Sequence, residues 1–178
     1  MRQKAIKLND LVKIASMSAL LAVCSWVTIP LPFSGVPVTL QTFAVFFAIG
    51  FIGCKRALIS YIVYLALGAV GVPVFSGFGG GVGHLIGPTG GYLFGFVFTC
   101  LFCMIYEKRH KSGWIHYIIL ASGLLICYVC GTAWFVFQTE TGVWKSLLLC
   151  VVPYIIPDAV KIVLASLIAS KMKKIIKV

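Results

Sequence analysis

Charged residues are scarce in this sequence of 178 residues, where they make up 11%, and only four of them are acidic. Soluble domains are about a quarter charged, so this chain has too few polar groups to cover a soluble globule. Apolar residues make up 61%, and a lipid bilayer is the solvent that suits such a composition. Since a helix needs roughly 20 apolar residues to cross a bilayer, the length allows about six spans and no soluble domain of ordinary size.

Motifs of nucleotide binding and of common enzymes are also missing. No stretch fits the phosphate-binding patterns G-x-G-x-x-G and G-x-x-x-x-G-K-[ST], so if ATP drives this protein, another subunit must supply the ATPase. Neither H-E-x-x-H nor G-x-S-x-G occurs, and no two carboxylates share an apolar segment. We therefore predict that the chain is not an enzyme, and an intramembrane enzyme is kept as a less favoured alternative.

Six apolar segments follow one another, which predicts an all-α integral membrane protein with six transmembrane helices in a single domain, residues 1–178. The second, third and fourth segments are short for full spans, so a re-entrant pair formed by the second and third is an alternative. The segments run from about Ile14 to Ile29, Val38 to Gly53, Ala57 to Gly71, Gly91 to Tyr106, Trp114 to Phe137 and Val143 to Ala169.

The net charge of +11 comes from basic residues that lie mostly between the apolar segments. With the N-terminus in the cytoplasm, 13 of the 15 Lys and Arg fall on the inner side, while Lys145 falls outside and Lys161 lies within the sixth segment. This bias predicts an N-in, C-in topology. No aromatic platform accompanies the charge, so the predicted partner is the lipid bilayer and not a nucleic acid.

Seven cysteines lie in or beside the apolar segments. Their spacing at Cys100, Cys103, Cys127 and Cys130 resembles a zinc pattern, but both pairs fall inside continuous apolar spans at different depths. We predict apolar packing residues, with no disulfide framework and no metal.

Glycine is concentrated in one region, because 11 of the 18 glycines fall between Gly68 and Gly95. Most lie in the second outer loop, where they alternate with large apolar residues such as Phe75 and Phe78. A flexible linker would combine glycine with serine and charge. This composition therefore predicts a folded, apolar loop that covers another part of the molecule.

Asp158 and Lys161 are the strongest candidate site. They lie three residues apart in the sixth segment, on one helical face. Each costs roughly 2.5–3.5 kcal/mol to insert into a bilayer, and charges inside membranes are functional by default. The alternative is a structural ion pair. Pro153 and Pro157 can kink this helix and leave carbonyl groups free. Asp158 can accept hydrogen bonds from a ligand, and a lysine can pair with a carboxylate.

Two shorter motifs open the second and fourth segments. Gln41 lies near the outer end of the second, where its amide either reaches into a cavity or remains at the interface. Thr89 precedes the fourth segment, and Tyr92 near its start can stack on a ligand or anchor the helix. Gly91 and Gly95 are separated by one helical turn, which predicts close contact with another helix.

Small residues form a stripe on the first segment, at Ala15, Ser18, Ala19 and Ala22. Such stripes let another helix approach closely. The approaching helix is either a partner's or one from this chain's own bundle.

The motifs taken together resemble the BioY family, the biotin-specific S components of energy-coupling factor (ECF) transporters. The resemblance covers nearly the whole chain in the same order. It is carried by 36–42 (VPVTLQT), 71–75 (GVPVF), 87–93 (GPTGGYL) and the Asp158-x-x-Lys161 pair. One departure is the stretch 153–157 (PYIIP), since the family usually has a phenylalanine and a glycine shortly before the aspartate.

The resemblance implies an S-component fold in a bacterial cell membrane, with high-affinity capture of biotin for uptake by an ECF-type ABC importer. It also implies partners, namely a transmembrane coupling protein that docks on Ala15 and Ala19, with Ala22 on the same stripe, and two ATPase subunits. Asp158 and Lys161 match the family's pocket residues, and Phe75, Phe78 and Tyr92 can cover the apolar part of biotin. No cofactor is expected. The alternatives are another vitamin as ligand or a proton-coupled carrier that uses Asp158.

Overall fold

Helices dominate the structure, a computed structural model that describes residues 8–32, 34–107 and 113–176. Six longer helices correspond to the six apolar segments, and two short ones were not expected. The helices are α1 (Leu8–Trp26), α2 (Gln41–Ile52), α3 (Cys54–Ala69), α4 (Val82–Ile86), α5 (Gly90–Glu107), α6 (Gly113–Thr139), α7 (Val143–Cys150) and α8 (Val152–Ile176).

Three of the described helices are long and apolar enough to cross a membrane, judged by length and composition: α1, α6 from Trp114 and α8 to Ile175. The apolar helices α2 and α5 are shorter. At 1.5 Å per residue the 12 residues of α2 extend only ~18 Å. The structure thus shows a mostly helical membrane protein with three candidate spans.

The sixth apolar segment is divided into two helices. Backbone dihedrals of φ −123° and ψ −56° at Val151 interrupt it, so α7 and α8 are separate elements. Pro153 is tolerated in the first turn of α8, where its missing N–H would have no helical partner. Pro157 lies inside α8. Because proline has no backbone N–H, the carbonyl of Pro153 lacks its usual helical hydrogen bond. The prediction of one continuous helix from Val143 to Ala169 was therefore wrong at Val151.

The central element is α2, in which ten of the twelve residues are buried. A helix that is apolar on all sides is stable only when it is surrounded, and α2 packs on α1, α3, α5 and α8. A two-stranded antiparallel ribbon of β1 (Thr28–Ile29) and β2 (Val38–Thr39) precedes it. The all-α prediction did not include this ribbon, which joins the end of α1 to the start of α2.

The most extensive helix packing is between α5 and α6. A Cβ atom added at Gly91 would lie 2.2 Å from Cβ of Trp134, and one added at Gly95 would lie 3.0 Å from Cα of Cys127. The prediction that this glycine pair allows close helix contact is confirmed. Six of the seven cysteines are buried, as expected of apolar packing residues.

Hydrogen bonds join α1 to α3 and to the loop after α3. Ser18 donates to the carbonyl of Ser60 at 2.8 Å, and the Tyr64 hydroxyl donates to Ser25 Oγ at 3.0 Å. The Trp26 indole donates to the carbonyl of Pro73 at 2.8 Å. The two buried donors, Ser18 and Tyr64, are thereby satisfied, and α1 is held against α3 along its length.

The glycine-rich segment between α3 and α5, named the outer loop after its predicted side of the membrane, is folded. It contains a 3₁₀ turn at Ser76–Phe78, a bridge between Phe75 and Gly79, and the short helix α4. Helix α4 packs on α3 and α5. The expectation of a folded loop that covers another part of the molecule is therefore confirmed.

Candidate ligand-binding site

A cavity opens under the outer loop, at the end of the bundle where α2 begins. Its walls surround about 670 Å³ of empty space, a figure that includes solvent at the open mouth. Its walls come from the start of α2, the outer loop, α5, α6 and α8. The cavity therefore gathers side chains from distant parts of the sequence.

A buried network lies at one wall. Asp158 and Lys161 are only 4% and 9% exposed. One carboxylate oxygen of Asp158, Oδ1, accepts from Lys161 Nζ at 2.8 Å, and the other, Oδ2, accepts from the Tyr128 hydroxyl at 2.8 Å. Lys161 Nζ also donates to the carbonyl of Thr39 at 2.8 Å. The pair is thus neutralised and oriented from three different elements.

This geometry presents an acceptor beside a donor. Each carboxylate oxygen has a further lone pair, and the ammonium group has a third N–H. Because Asp158 Oδ1 and Lys161 Nζ are 2.8 Å apart, they complement a ligand edge that carries an N–H next to a C=O. A cyclic urea has such an edge, and so does an amide ring.

Aromatic residues form another part of the wall. Phe75 is fully buried and packs edge-on against Tyr64, with ring centroids 5.5 Å apart. Tyr61 packs on Phe96 in the same way at 5.9 Å, and its hydroxyl donates to the carbonyl of Leu93 while accepting from Gln41. The cavity therefore combines a polar network with an apolar surface suited to a thioether ring or an alkyl chain.

Six of the seven predicted ligand-contacting residues line this cavity, and one does not. Those that line it are Gln41, Phe75, Thr89, Tyr92, Asp158 and Lys161. Phe78 is 64% exposed and stacks on Trp26, with ring centroids 5.2 Å apart. The positive φ of 68° at Gly77 and 58° at Phe78 turns the chain, so the Phe78 ring lies outside the cavity that Phe75 lines.

The small-residue stripe on α1 is divided between two faces. Ala15 and Ala19 are exposed, whereas Ala22 is buried at 9% among this chain's own side chains. Ser18 is also buried, against α3. Only Ala15 and Ala19 remain available to a partner, and Ala22 has to be removed from the predicted docking face.

Sequence reasoning missed several cavity residues. Tyr128 is 30 residues from Asp158 and lies in an apolar segment whose pattern gives no reason to single it out. His84 belongs to the glycine-rich loop, and it also lines the cavity. The Tyr154 hydroxyl is hydrogen-bonded to the Ser34 hydroxyl and to the carbonyl of Val36, which fixes the loop before α2.

The two phenylalanines of the outer loop give a first test. Phe75→Leu is expected to weaken ligand binding by roughly 10-fold, because it removes an aromatic surface from the cavity wall. Phe78→Leu serves as the matched control and is expected to change affinity by less than about threefold, since its ring lies outside the cavity. Titration of both variants with the same ligand measures this difference, and equal losses would show that Phe78 also contributes to the site.

A cavity of mixed polarity, closed by a folded loop and set among apolar helices, defines a membrane protein that captures a small molecule. A family model described as the BioY family matches residues 1–178. The chain belongs to the BioY family, as the sequence motifs indicated.

Relatives agree with this assignment. The biotin transporter BioY of Thermotoga maritima is 37% identical, over 94% of this chain and 98% of its own length. The biotin transporter BioY2 of Lactococcus lactis subsp. cremoris is 34% identical, over 90% of this chain and 88% of its own. The fold matches a crystal structure of the S-component for biotin from an ECF-type ABC transporter, with a TM-score of 0.88 and 29% identity over 98% of this chain and 95% of that one.

Proposed function

We propose that this chain is the S component that captures biotin for an ECF-type ABC importer. The relatives are named as biotin transporters and the structural neighbour is a biotin S-component. The observation that carries the proposal is the buried Asp158–Lys161 pair, which lines a cavity whose other walls include several aromatic side chains. This role makes the chain a transporter subunit and not an enzyme, with biotin as ligand and without a cofactor of its own.

The ureido ring of biotin is the part that meets Asp158 and Lys161. A ureido N–H donates to the carboxylate of Asp158, and the neighbouring ureido carbonyl accepts from the ammonium group of Lys161. The aromatic residues Phe75 and Tyr92 then cover the thioether ring and the alkyl chain. Gln41 and Thr89 contribute polar contacts at the cavity wall.

We further propose six spans, with both termini in the cytoplasm of a bacterium and residues 1–178 acting as one domain. An ion pair of 2.9 Å between Asp10 and Arg56 brings the starts of α1 and α3 together, and Gly50 of α2 contacts Ala169 of α8. The basic residues of these regions that the structure describes therefore converge on one end of the bundle, which supports a cytoplasmic placement of that end. Arg2, Lys4, Lys7, Lys108, Arg109, Lys111 and Lys177 lie outside the described residues.

The partners in this proposal are a transmembrane coupling protein and two ATPase subunits, since the chain has no nucleotide-binding motif of its own. Ala15 and Ala19 offer the coupling protein an exposed small-residue face on α1, where another helix can approach closely. The neighbouring face of α1 is already committed to α3 through Ser18.

The deciding experiment is ligand binding by the purified protein. Calorimetry and thermal-shift measurements with biotin, thiamine and riboflavin are expected to show tight binding and a raised melting temperature with biotin alone. Biotin combines a cyclic urea, which matches the acceptor–donor pair, with a thioether ring and an alkyl chain that suit the apolar wall. A stronger response to another vitamin would assign the chain to that ligand. No response to biotin would refute the proposal.

A further inference from the structure

His84 is a cavity residue to which the proposed function gives no role. It lies on α4, and its ring stacks on Phe75 with centroids 5.5 Å apart and an angle of 22° between the planes. The ring also packs against Gly79, where an added Cβ atom would lie 2.4 Å from Cε1 of His84. The imidazole is thus held in a defined position at the cavity wall.

Among the described residues, none is hydrogen-bonded to either nitrogen of this ring. Lys161, in contrast, already donates to Asp158 and to the carbonyl of Thr39. His84 and Lys161 are the two side chains among the described cavity-lining residues that can carry a positive charge.

The two groups belong to different walls. Helix α4 packs on α3 and α5, whereas α8, which carries Lys161, packs on α2, α6 and α7. A ligand with two polar ends can therefore meet Asp158 and Lys161 with one end and His84 with the other. The negative charge of Asp158 and the existing bonds of Lys161 make the α8 wall a poor place for a second carboxylate.

We propose that His84 binds the carboxylate at the end of the biotin side chain and so makes the site selective for the free acid. The assignment rests on the proposed function and extends it from the ureido ring to the opposite end of the ligand. An imidazole N–H donates to a carboxylate whether the ring is neutral or protonated. The stacking on Phe75 holds the donor in place before the ligand arrives, which reduces the ordering cost of binding.

The test compares biotin with biotinol, in which an alcohol replaces the carboxylate. His84→Phe keeps an aromatic ring on Phe75 and removes both nitrogens. We expect it to weaken biotin by roughly 10- to 100-fold, the range for a hydrogen bond to a charged group, and biotinol by less than about threefold. His84→Gln retains a neutral N–H and is expected to keep more of the preference for biotin. His116→Phe makes the same exchange outside the cavity and is expected to leave both affinities unchanged.

Each outcome decides the assignment. His84→Leu removes the nitrogens with a smaller side chain, so the comparison stands even if the phenylalanine variant does not fold. Equal losses for the two ligands would make the role of His84 structural, and an unchanged preference for biotin would remove His84 from the site. In both cases the parent still binds biotin and the proposed function survives. A parent that does not bind biotin would overturn the proposed function together with the assignment of His84.

Discussion

Asp158→Asn is expected to lower biotin affinity by roughly 100-fold, the largest effect among the substitutions proposed. The amide keeps the shape of the side chain but replaces one acceptor oxygen with a donor, so it opposes a ureido N–H and no longer neutralises Lys161. A hydrogen bond to a charged group contributes about 1.5–3 kcal/mol, and breaking a buried charge pair costs a further ~3–5 kcal/mol in stability. Titration with biotin measures the first effect and a melting curve the second.

Controls separate ligand binding from folding. The exposed Glu140 permits the same acid-to-amide change outside the site, and Glu140→Gln is expected to bind and melt like the parent. Lys161→Met leaves Asp158 without its counter-charge and should also lose binding. In the double variant Asp158→Asn/Lys161→Met no uncompensated charge remains, so stability should partly recover while binding does not. If both single variants fold and bind biotin like the parent, the pair is only structural.

Gly91→Ala is expected to lower the stability of the protein by about 1–3 kcal/mol, the usual cost of overpacking. The added methyl group would lie 2.2 Å from Cβ of Trp134, an atom fixed to the backbone of α6, so the two helices must separate. Thermal melting in detergent measures the loss. Gly142→Ala is the matched control, because an added Cβ atom there meets nothing within 4 Å. Equal melting temperatures for the two variants would show that the packing between α5 and α6 can adjust to the added methyl group.

The helices were predictable because long apolar runs leave the backbone no hydrogen-bonding partner except itself in lipid. The prediction of helix bounds failed at the two places where backbone geometry, and not composition, determines the structure. The residues around Val151 are as apolar as their neighbours, yet the chain ends one helix there and begins the next. The ribbon of Thr28–Ile29 and Val38–Thr39 depends on pairing between segments that are far too short to have a recognisable strand pattern.

The site was predictable to the extent that its residues are unusual for their surroundings. Asp158 and Lys161 stand out because charge is costly inside an apolar segment. Tyr128 and the carbonyl of Thr39 do not stand out, since a tyrosine is common in such helices and every residue has a carbonyl. Phe75 and Phe78 looked equivalent in sequence, and only the turn at Gly77 separates them.

The contacts of α1 with α3 and the following loop connect α1 to the wall of the cavity. Ser25 near the end of α1 is bonded to Tyr64, and the Tyr64 ring lies against Phe75 in the cavity wall. Trp26 is bonded to the loop backbone that carries Phe75. A displacement of α1 would therefore act, through these two hydrogen bonds, on the surface that would cover the ligand. A partner that docks on Ala15 and Ala19 would thus be connected to the ligand-covering surface without contacting the ligand itself.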